Sequence, residues 1–368
     1  MNKKITALAI MMASFAANAS VLPETPVPFK SGTGAIDNDT VYIGLGSAGT
    51  AWYKLDTQAK DKKWKALAAF PGGPRDQATS AFIDGNLYVF GGIGKNSEGF
   101  TQVFNDVHKY NPKTNSWVKL MSHAPMGMAG HVTFVHNGKA YVTGGVNQNI
   151  FNGYFEDLNE AGKDQTAVDK INAHYFDKKA EDYFFNKFLL SFDPSTQQWS
   201  YAGESPWYGT AGAAVVNKGD KTWLINGEAK PGLRTDAVFE LDFTGNNLKW
   251  NKLAPVSSPD GVAGGFAGIS NDSLIFAGGA GFKGSRENYQ NGKNYAHEGL
   301  KKSYSTDIHL WHNGKWDKSG ELSQGRAYGV SLPWNNSLLI IGGETAGGKA
   351  VTDSVLISVK DNKVTVQN

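Results

Sequence analysis

The chain contains no cysteine. That excludes disulfides, cysteine-ligated zinc or iron–sulfur centres, thiol nucleophiles and any tyrosine–cysteine radical cofactor. Strong charge of either sign is also missing. In 368 residues, 36 Lys and Arg stand against 34 Asp and Glu, and the net +2 offers no bulk attraction to nucleic acid. Charged residues are only 19% and hydrophobic ones 40%, too apolar a balance for a disordered chain. The H-E-x-x-H pair, the G-x-S-x-G elbow and the P-loop are all absent.

What is present begins with an address. Lys3 and Lys4 precede an apolar stretch from residue 5 to 17, and Ala17-Asn18-Ala19 has the A-x-A form of a cleavage site. A 13-residue helix rises about 20 Å, short of the ~30 Å hydrocarbon core. Residues 1–19 therefore read as a secretory signal, cleaved after Ala19. Loss of the two lysines takes the net charge from +2 to zero. No second apolar run of about 18 residues follows, so no membrane anchor is expected after cleavage, and a bacterial-style signal points to the periplasm.

The rest of the chain repeats. β-rich apolar segments end in Gly-rich turns at Gly44-Leu45-Gly46, Gly91-Gly92, Gly144-Gly145, Asn226-Gly227, Gly278-Gly279 and Gly342-Gly343. Each is followed by a second strand, a polar turn and then Trp64, Trp117, Trp199, Trp250 or Trp316, with Val364 in the sixth unit. Trp-to-Trp spacings of 53, 82, 51 and 66 give a base period near 50 with two enlarged units. This pattern resembles the Kelch repeat, four strands per blade. It implies one all-β domain over residues 20–368, a six-bladed Kelch-type β-propeller in which neighbouring blades bury each other's faces. Regular repeats without a linker argue against two stacked sandwiches. Either the tail Lys363–Gln367 or the leader at 21–26 could supply the outermost strand of the last blade.

Both enlarged units carry their extra length between the second and third strands. In blade 3 this is residues 146–186, with a polar, helix-compatible stretch at 164–179 marked by Ala167, Ile171 and Tyr175. In blade 5 it is a Gly-, Lys- and Tyr-rich loop at 280–304. Up-and-down strands place both insertions on one end of the propeller. Insertions longer than roughly 12–15 residues are uncommon without a function or disorder.

Two G-x-G-x-x-G matches, starting at Gly44 and Gly279, coincide with the repeat's own turns and do not open a helix, which a dinucleotide site needs. His309 and His312 lie in a strand-to-turn segment and read as inter-blade or surface histidines, so no metal site is expected. Blade-to-blade loops carry Arg75, His123, His131, Trp207, Tyr208, Asp260, Arg326 and Tyr328. Arg75 and Arg326 could converge on an anionic ligand, or brace the carbonyls of neighbouring blades. Glu228 and Glu344 occupy equivalent positions just past an inner strand in blades 4 and 6. Partial burial at a channel mouth would raise such a carboxyl into acid–base range, whereas a structural acid would accept loop amides. Arg234, six residues beyond Glu228, could add an anion clamp to the same pocket.

The leader Leu22-Pro23-Glu24-Thr25-Pro26-Val27-Pro28-Phe29-Lys30, the six units, both insertions and the strand end Ile225-Asn226-Gly227-Glu228-Ala229-Lys230 resemble the N-acetylneuraminate epimerases over the whole chain. These are periplasmic sialic acid mutarotases. The resemblance implies an isomerase that interconverts the α and β anomers of N-acetylneuraminate as a homodimer without a cofactor. It further implies that Glu228 is the proton acceptor and that Arg234 belongs to the site. A secreted Kelch module that binds a protein or glycan without turnover is the alternative.

Overall fold

The computed structural model describes residues 21–245 and 248–368; the signal segment 1–19 lies outside them. Six four-stranded antiparallel sheets follow one another along the chain, each in sequence order from its innermost to its outermost strand. Blade 1 runs from Thr33–Asp37 to Lys65–Ala66, and blade 2 from Thr79–Ile83 to Ser116–His123. Blade 3 runs from His131–His136 to Gln198–Glu204, and blade 4 from Ala214–Lys218 to Lys249–Leu253. Blade 5 extends from Phe266–Ser270 to Lys315–Glu321, and blade 6 from Val330–Trp334 to Lys363–Gln367.

Both faces of every sheet are buried, so the second strands are nearly all apolar rather than alternating. In Ser337–Ile341, Leu338 and Ile340 pack on blade 5 while Leu339 and Ile341 pack on blade 1. Successive side chains point to opposite faces, so one strand serves two cores. Six such cores lie between successive blades, the last joining blade 6 to blade 1 through Val41, Ile43 and Leu55. Each repeat tryptophan packs into one of them: Trp64 between blades 6 and 1, Trp117 between 1 and 2, and Trp199 between 2 and 3. Trp250 and Trp316 continue the series, and Val364 takes the place between blades 5 and 6.

The Gly-rich turns stitch the blades together. Gly46, Gly92, Gly145, Gly227, Gly279 and Gly343 each donate a backbone N–H to the segment entering the next blade. The acceptors are the carbonyls of Arg75, Met128, Thr210, Val262, Arg326 and, closing the circle, Phe29, at 2.6–2.9 Å. Turning the amide outward takes two consecutive residues with positive φ, which explains the glycine pairs. Leu45 and Asn226 adopt the same left-handed backbone without being glycine. A second belt lines the central cavity, where Gln77, Ser31, Tyr328, Gly264 and Gly212 donate to Ser31, Tyr328, Gly264, Gly212 and Gly130 in turn at 2.7–2.9 Å.

Tail and leader divide the work of closure. The tail Lys363–Gln367 pairs with Ser354–Lys360 as the outermost strand of blade 6. The leader adds no strand to that sheet. It crosses from blade 6 to blade 1, with Phe29 bridged to Val351, its ring fully buried, and the Trp64 indole N–H donating to the Pro23 carbonyl at 3.0 Å.

The blade-3 insertion holds two helices, α1 (Gln148–Ala161) and α2 (Gln165–Phe176), capped by the side chains of Asn147 and Asp164. Only the second is foreseen at 164–179, and it stops three residues short of that stretch's end. The blade-5 insertion is more ordered than a loop: a hairpin of Ala280–Phe282 and Lys302–Tyr304 brackets a short helix, α3 (Ser285–Gln290). Bidentate pairing of Arg286 with Asp236 and two backbone N–H bonds to Asp260 hold α3 in place.

Phe29→Ala removes a fully buried ring from the core that joins the first and last blades. A loss of about 3–5 kcal/mol is expected in chemical denaturation. A loss below about 1 kcal/mol would show that the leader does not help to close the ring.

Candidate active site at the channel mouth

A cavity of about 980 Å³ runs along the propeller axis, lined by the inner strands of all six blades. At the end that carries both insertions, Glu228, Arg234, Lys302, Tyr328 and Glu344 reach it, together with Phe151, Tyr154, Phe176 and Phe185 from the blade-3 insertion. Glu228 and Arg234 face each other across the hairpin Glu228–Lys230/Leu233–Arg234 and form an ion pair. Its two-residue turn, Pro231-Gly232, uses proline for the first corner and glycine with φ +80° for the second. The His297 ring covers the face of Gly232 and leaves no room for a side chain. The Gly232 N–H donates to Glu228 Oε1 at 3.1 Å. Arg234 is buried, donating to the Ala280 carbonyl at 3.2 Å and to the Tyr328 hydroxyl at 3.4 Å, with Phe282 against its guanidinium.

The hairpin is clamped from above by both insertions. Lys230 is fully buried, and its ammonium donates to the carbonyls of Phe176 (2.9 Å), Lys178 and Asn294 (2.6 Å). Burial pushes this lysine down to about 8, with Asp177 opposing. Tyr289 accepts the Ala180 N–H at 2.9 Å, and Phe176 stacks on Tyr295. His297 is lowered to about 4 by burial and by the charges of Arg234 and Lys230, so it is neutral near pH 7. His131 lies in the channel wall, its Nε2 2.6 Å from Thr79 Oγ1, and burial lowers it to about 3.

Glu344 occupies the same backbone position as Glu228. Each exchanges two hydrogen bonds with its blade's entering segment, through Ala327 and Ala211. Their side chains differ sharply. Glu344 is 8% exposed, and its Oε1 accepts from Lys302 Nζ and the Tyr304 hydroxyl, both at 2.5 Å, while Oε2 accepts from Lys30 Nζ at 2.7 Å. Burial alone would raise this carboxyl, but the three donors overcome it and hold it at about 2. The expectation of a raised carboxyl at this position is therefore reversed. Tyr304 is raised in turn, by burial first and then by the hydrogen bond to Glu344.

Arg75 and Arg326 do not join the mouth. Each lies inside its own blade, donating to the carbonyl of the first turn glycine, Gly91 at 2.9 Å and Gly342 at 3.3 Å. Arg75 pairs bidentately with Asp106 at 2.5 and 2.9 Å and lies over the Phe104 ring, while Arg326 pairs with Asp353 at 2.7 Å. Both are braces, which corrects the expectation of an arginine anion site. Two lysines escape sequence reading, Lys302 in the cavity wall and Lys30 paired with Glu344. Lys30 meets Glu344 only because the ring closes, and Lys302 ends an insertion without clear periodicity.

Arg75→Met strips the buried Asp106 of its bidentate partner and leaves it Lys119 at 3.5 Å, and is expected to cost about 3 kcal/mol in chemical denaturation. Arg326→Met should cost less, because the Asp353 side chain is 43% exposed. Amide chemical shifts of the Glu228–Arg234 hairpin should stay unchanged in both variants; large shifts there would return these arginines to the site.

With this geometry in place, comparison with known proteins is direct. Residues 22–366 match the family model described as N-acetylneuraminate epimerase. The chain is 98% identical, over all 368 residues of both, to the N-acetylneuraminate epimerase of Escherichia coli strain K12. Identity is also 98% over both full lengths to the proteins of that name from Shigella boydii serotype 4 and Shigella sonnei strain Ss046. A solved chain described as the structure of YjhT superposes with a TM-score of 0.94 at 98% identity, spanning 95% of this chain and all of its own. A six-bladed propeller with a glutamate–arginine hairpin at its mouth, matched from end to end, thus belongs to the N-acetylneuraminate epimerase family.

Proposed function

We propose that this protein is an isomerase that interconverts the α and β anomers of N-acetylneuraminate by acid–base ring opening and reclosure, with Glu228 as the base. The observation that carries this reading is the Glu228–Arg234 pair, fixed by its own hairpin and facing the cavity. Glu228 takes the proton of the anomeric C2 hydroxyl as the C2–O6 bond breaks. The proton goes to O6, directly or through water, and leaves an open-chain ketone and a free hydroxyl. Rotation about C2–C3 presents the other carbonyl face, and O6 closes on it with the proton transfers reversed. Neither an electron nor a covalent enzyme intermediate is required.

Arg234 serves the same step twice. Its guanidinium can hold the sugar carboxylate through charge-assisted hydrogen bonds. Once it does, Glu228 shares its cation with a second anion and is released to turn toward the anomeric hydroxyl. Lys230 and the two insertions keep the hairpin rigid, which preserves the alignment on which proton transfer depends. Glu344, held at about 2, carries no proton at neutral pH and is not the acid. We further propose that the signal segment 1–19 exports the chain to the periplasm, where it acts without a membrane anchor as a homodimer. The charged, apolar and A-x-A parts of that segment support export.

Glu228→Gln should slow anomer exchange by about 10²–10⁴-fold. The readout is NMR of freshly released α-sugar, with circular dichroism unchanged; near-normal exchange would remove Glu228 from the mechanism. Arg234→Ala should weaken binding of N-acetylneuraminate about 10- to 100-fold and that of a neutral sugar much less. Equal losses for both would contradict a carboxylate clamp.

A further inference from the structure

Two lysines, Lys30 and Lys302, converge on the single carboxylate of Glu344, and among the described residues no second acid lies within 4.0 Å of either ammonium. Glu228 pairs with Arg234, and Asp76 lies near enough to Lys30 to feel its charge, which leaves Lys302 with Glu344 as its single acid among the described residues. Lys30 alone would neutralise Glu344, and its ammonium is also occupied by the Gly348 carbonyl at 2.7 Å. Lys302 is the less engaged of the two. Its side chain is 33% exposed, it lines the cavity, and only one of its three donors meets a protein acceptor among the described residues. Its partner Glu344 is nearly buried, and the pair helps to keep that carboxyl ionised. The two remaining donors of Lys302 face the cavity, where an anion can take them.

Tyr328 shows where that charge is aimed. Its left-handed backbone, φ +58°, belongs to the inner hydrogen-bonded belt, so its side chain is fixed at the cavity wall. Arg234 approaches its hydroxyl at 3.4 Å, and the Lys302 ammonium lies 4.6 Å from its ring centroid. Two cations from blades 4 and 5 thus bracket one tyrosine from blade 6. Arg234 is tied to Glu228, whereas Lys302 shares the Glu344 carboxylate with Lys30 and Tyr304.

We propose that Lys302 is a second anion anchor of the channel mouth, set in position by Glu344 and Tyr328, that binds the carboxylate of a 2-keto sugar acid jointly with Arg234. The proposal deepens the sialic acid reading and rests on it for the identity of the sugar. Glu344 is then a positioning residue. Its burial and three donors fix the place of Lys302 Nζ, which explains why two glutamates at equivalent positions have opposite surroundings.

The test measures affinity for N-acetylneuraminate and for its carboxyl methyl ester, with kcat and KM of anomer exchange, in the full-length protein. Lys302→Met is expected to weaken the acid about tenfold or more through KM. The ester should change by no more than about twofold, with kcat largely kept, and Lys302→Arg should restore most of the loss. Glu344→Gln should give a smaller KM defect of the same selectivity. If Lys302→Met misfolds by circular dichroism, Lys302→Gln replaces it. Equal weakening of acid and ester, no weakening of either, or failure of arginine to rescue would overturn the anchor. Absence of anomer exchange in the unmodified protein would instead overturn the functional reading, while the acid-to-ester ratio would still report on Lys302.

Discussion

One backbone hydrogen bond, repeated six times, sets the rest of this molecule. The amide of the second turn residue in each blade points out of its own sheet and into the segment that enters the next. The sixth copy, from Gly343 to Phe29, spans almost the whole sequence. Hydrophobic packing between blades supplies most of the burial, but it is non-directional and does not by itself dictate how many blades close the circle. The directional amide fixes each blade against its neighbour. It places Lys30 beside Glu344 and Arg234 beside Tyr328, contacts between residues separated by 314 and 94 positions.

Two glutamates at one structural position show how little of the chemistry the backbone decides. Both 228 and 344 follow a turn glycine and bridge to the entering segment of their blade. Glu228 lies on a three-residue strand that returns at once, and it meets Arg234 and an amide from its own turn. Glu344 faces lysines from the leader and from the blade-5 insertion and a tyrosine from that same insertion. The first is left with one cation that a substrate anion can share. The second is locked as a charged support. A division of labour between chemically identical residues is what separate environments produce in acid–base sites generally.

The repeat was legible because its physics is local. Glycine pairs, following strands and a distal tryptophan recur within one unit, and even Val364 in place of the sixth tryptophan was readable. That Glu228 and Arg234 share one pocket was legible for the same reason, since they are six residues apart on one hairpin. The sequence left two roles open for Arg75 and Arg326 because their partners, Asp106 and Asp353, lie 31 and 27 residues downstream, at the start of the third strand of the blade. Nothing in the loop sequence says that the guanidinium turns inward. Helix α1 was overlooked although Asn147 and the spacing of Phe151, Phe155 and Leu158 mark it, and α3 is too short for a periodic signal. Lys30 acquires meaning only after the ring is closed, and Lys302 only once blades 5 and 6 stand side by side.

The central claim is that closure gathers Glu228, Arg234 and Lys302 around one sugar. A crystal structure of Glu228→Gln with N-acetylneuraminate bound tests it most directly. The account predicts the anomeric C2 hydroxyl within about 2.6–3.2 Å of the side chain at 228, with the sugar carboxylate between Arg234 and Lys302 above Tyr328. A sugar seated at the far end of the channel or on the outer rim of the blades, with its anomeric carbon out of reach of residue 228, would contradict it.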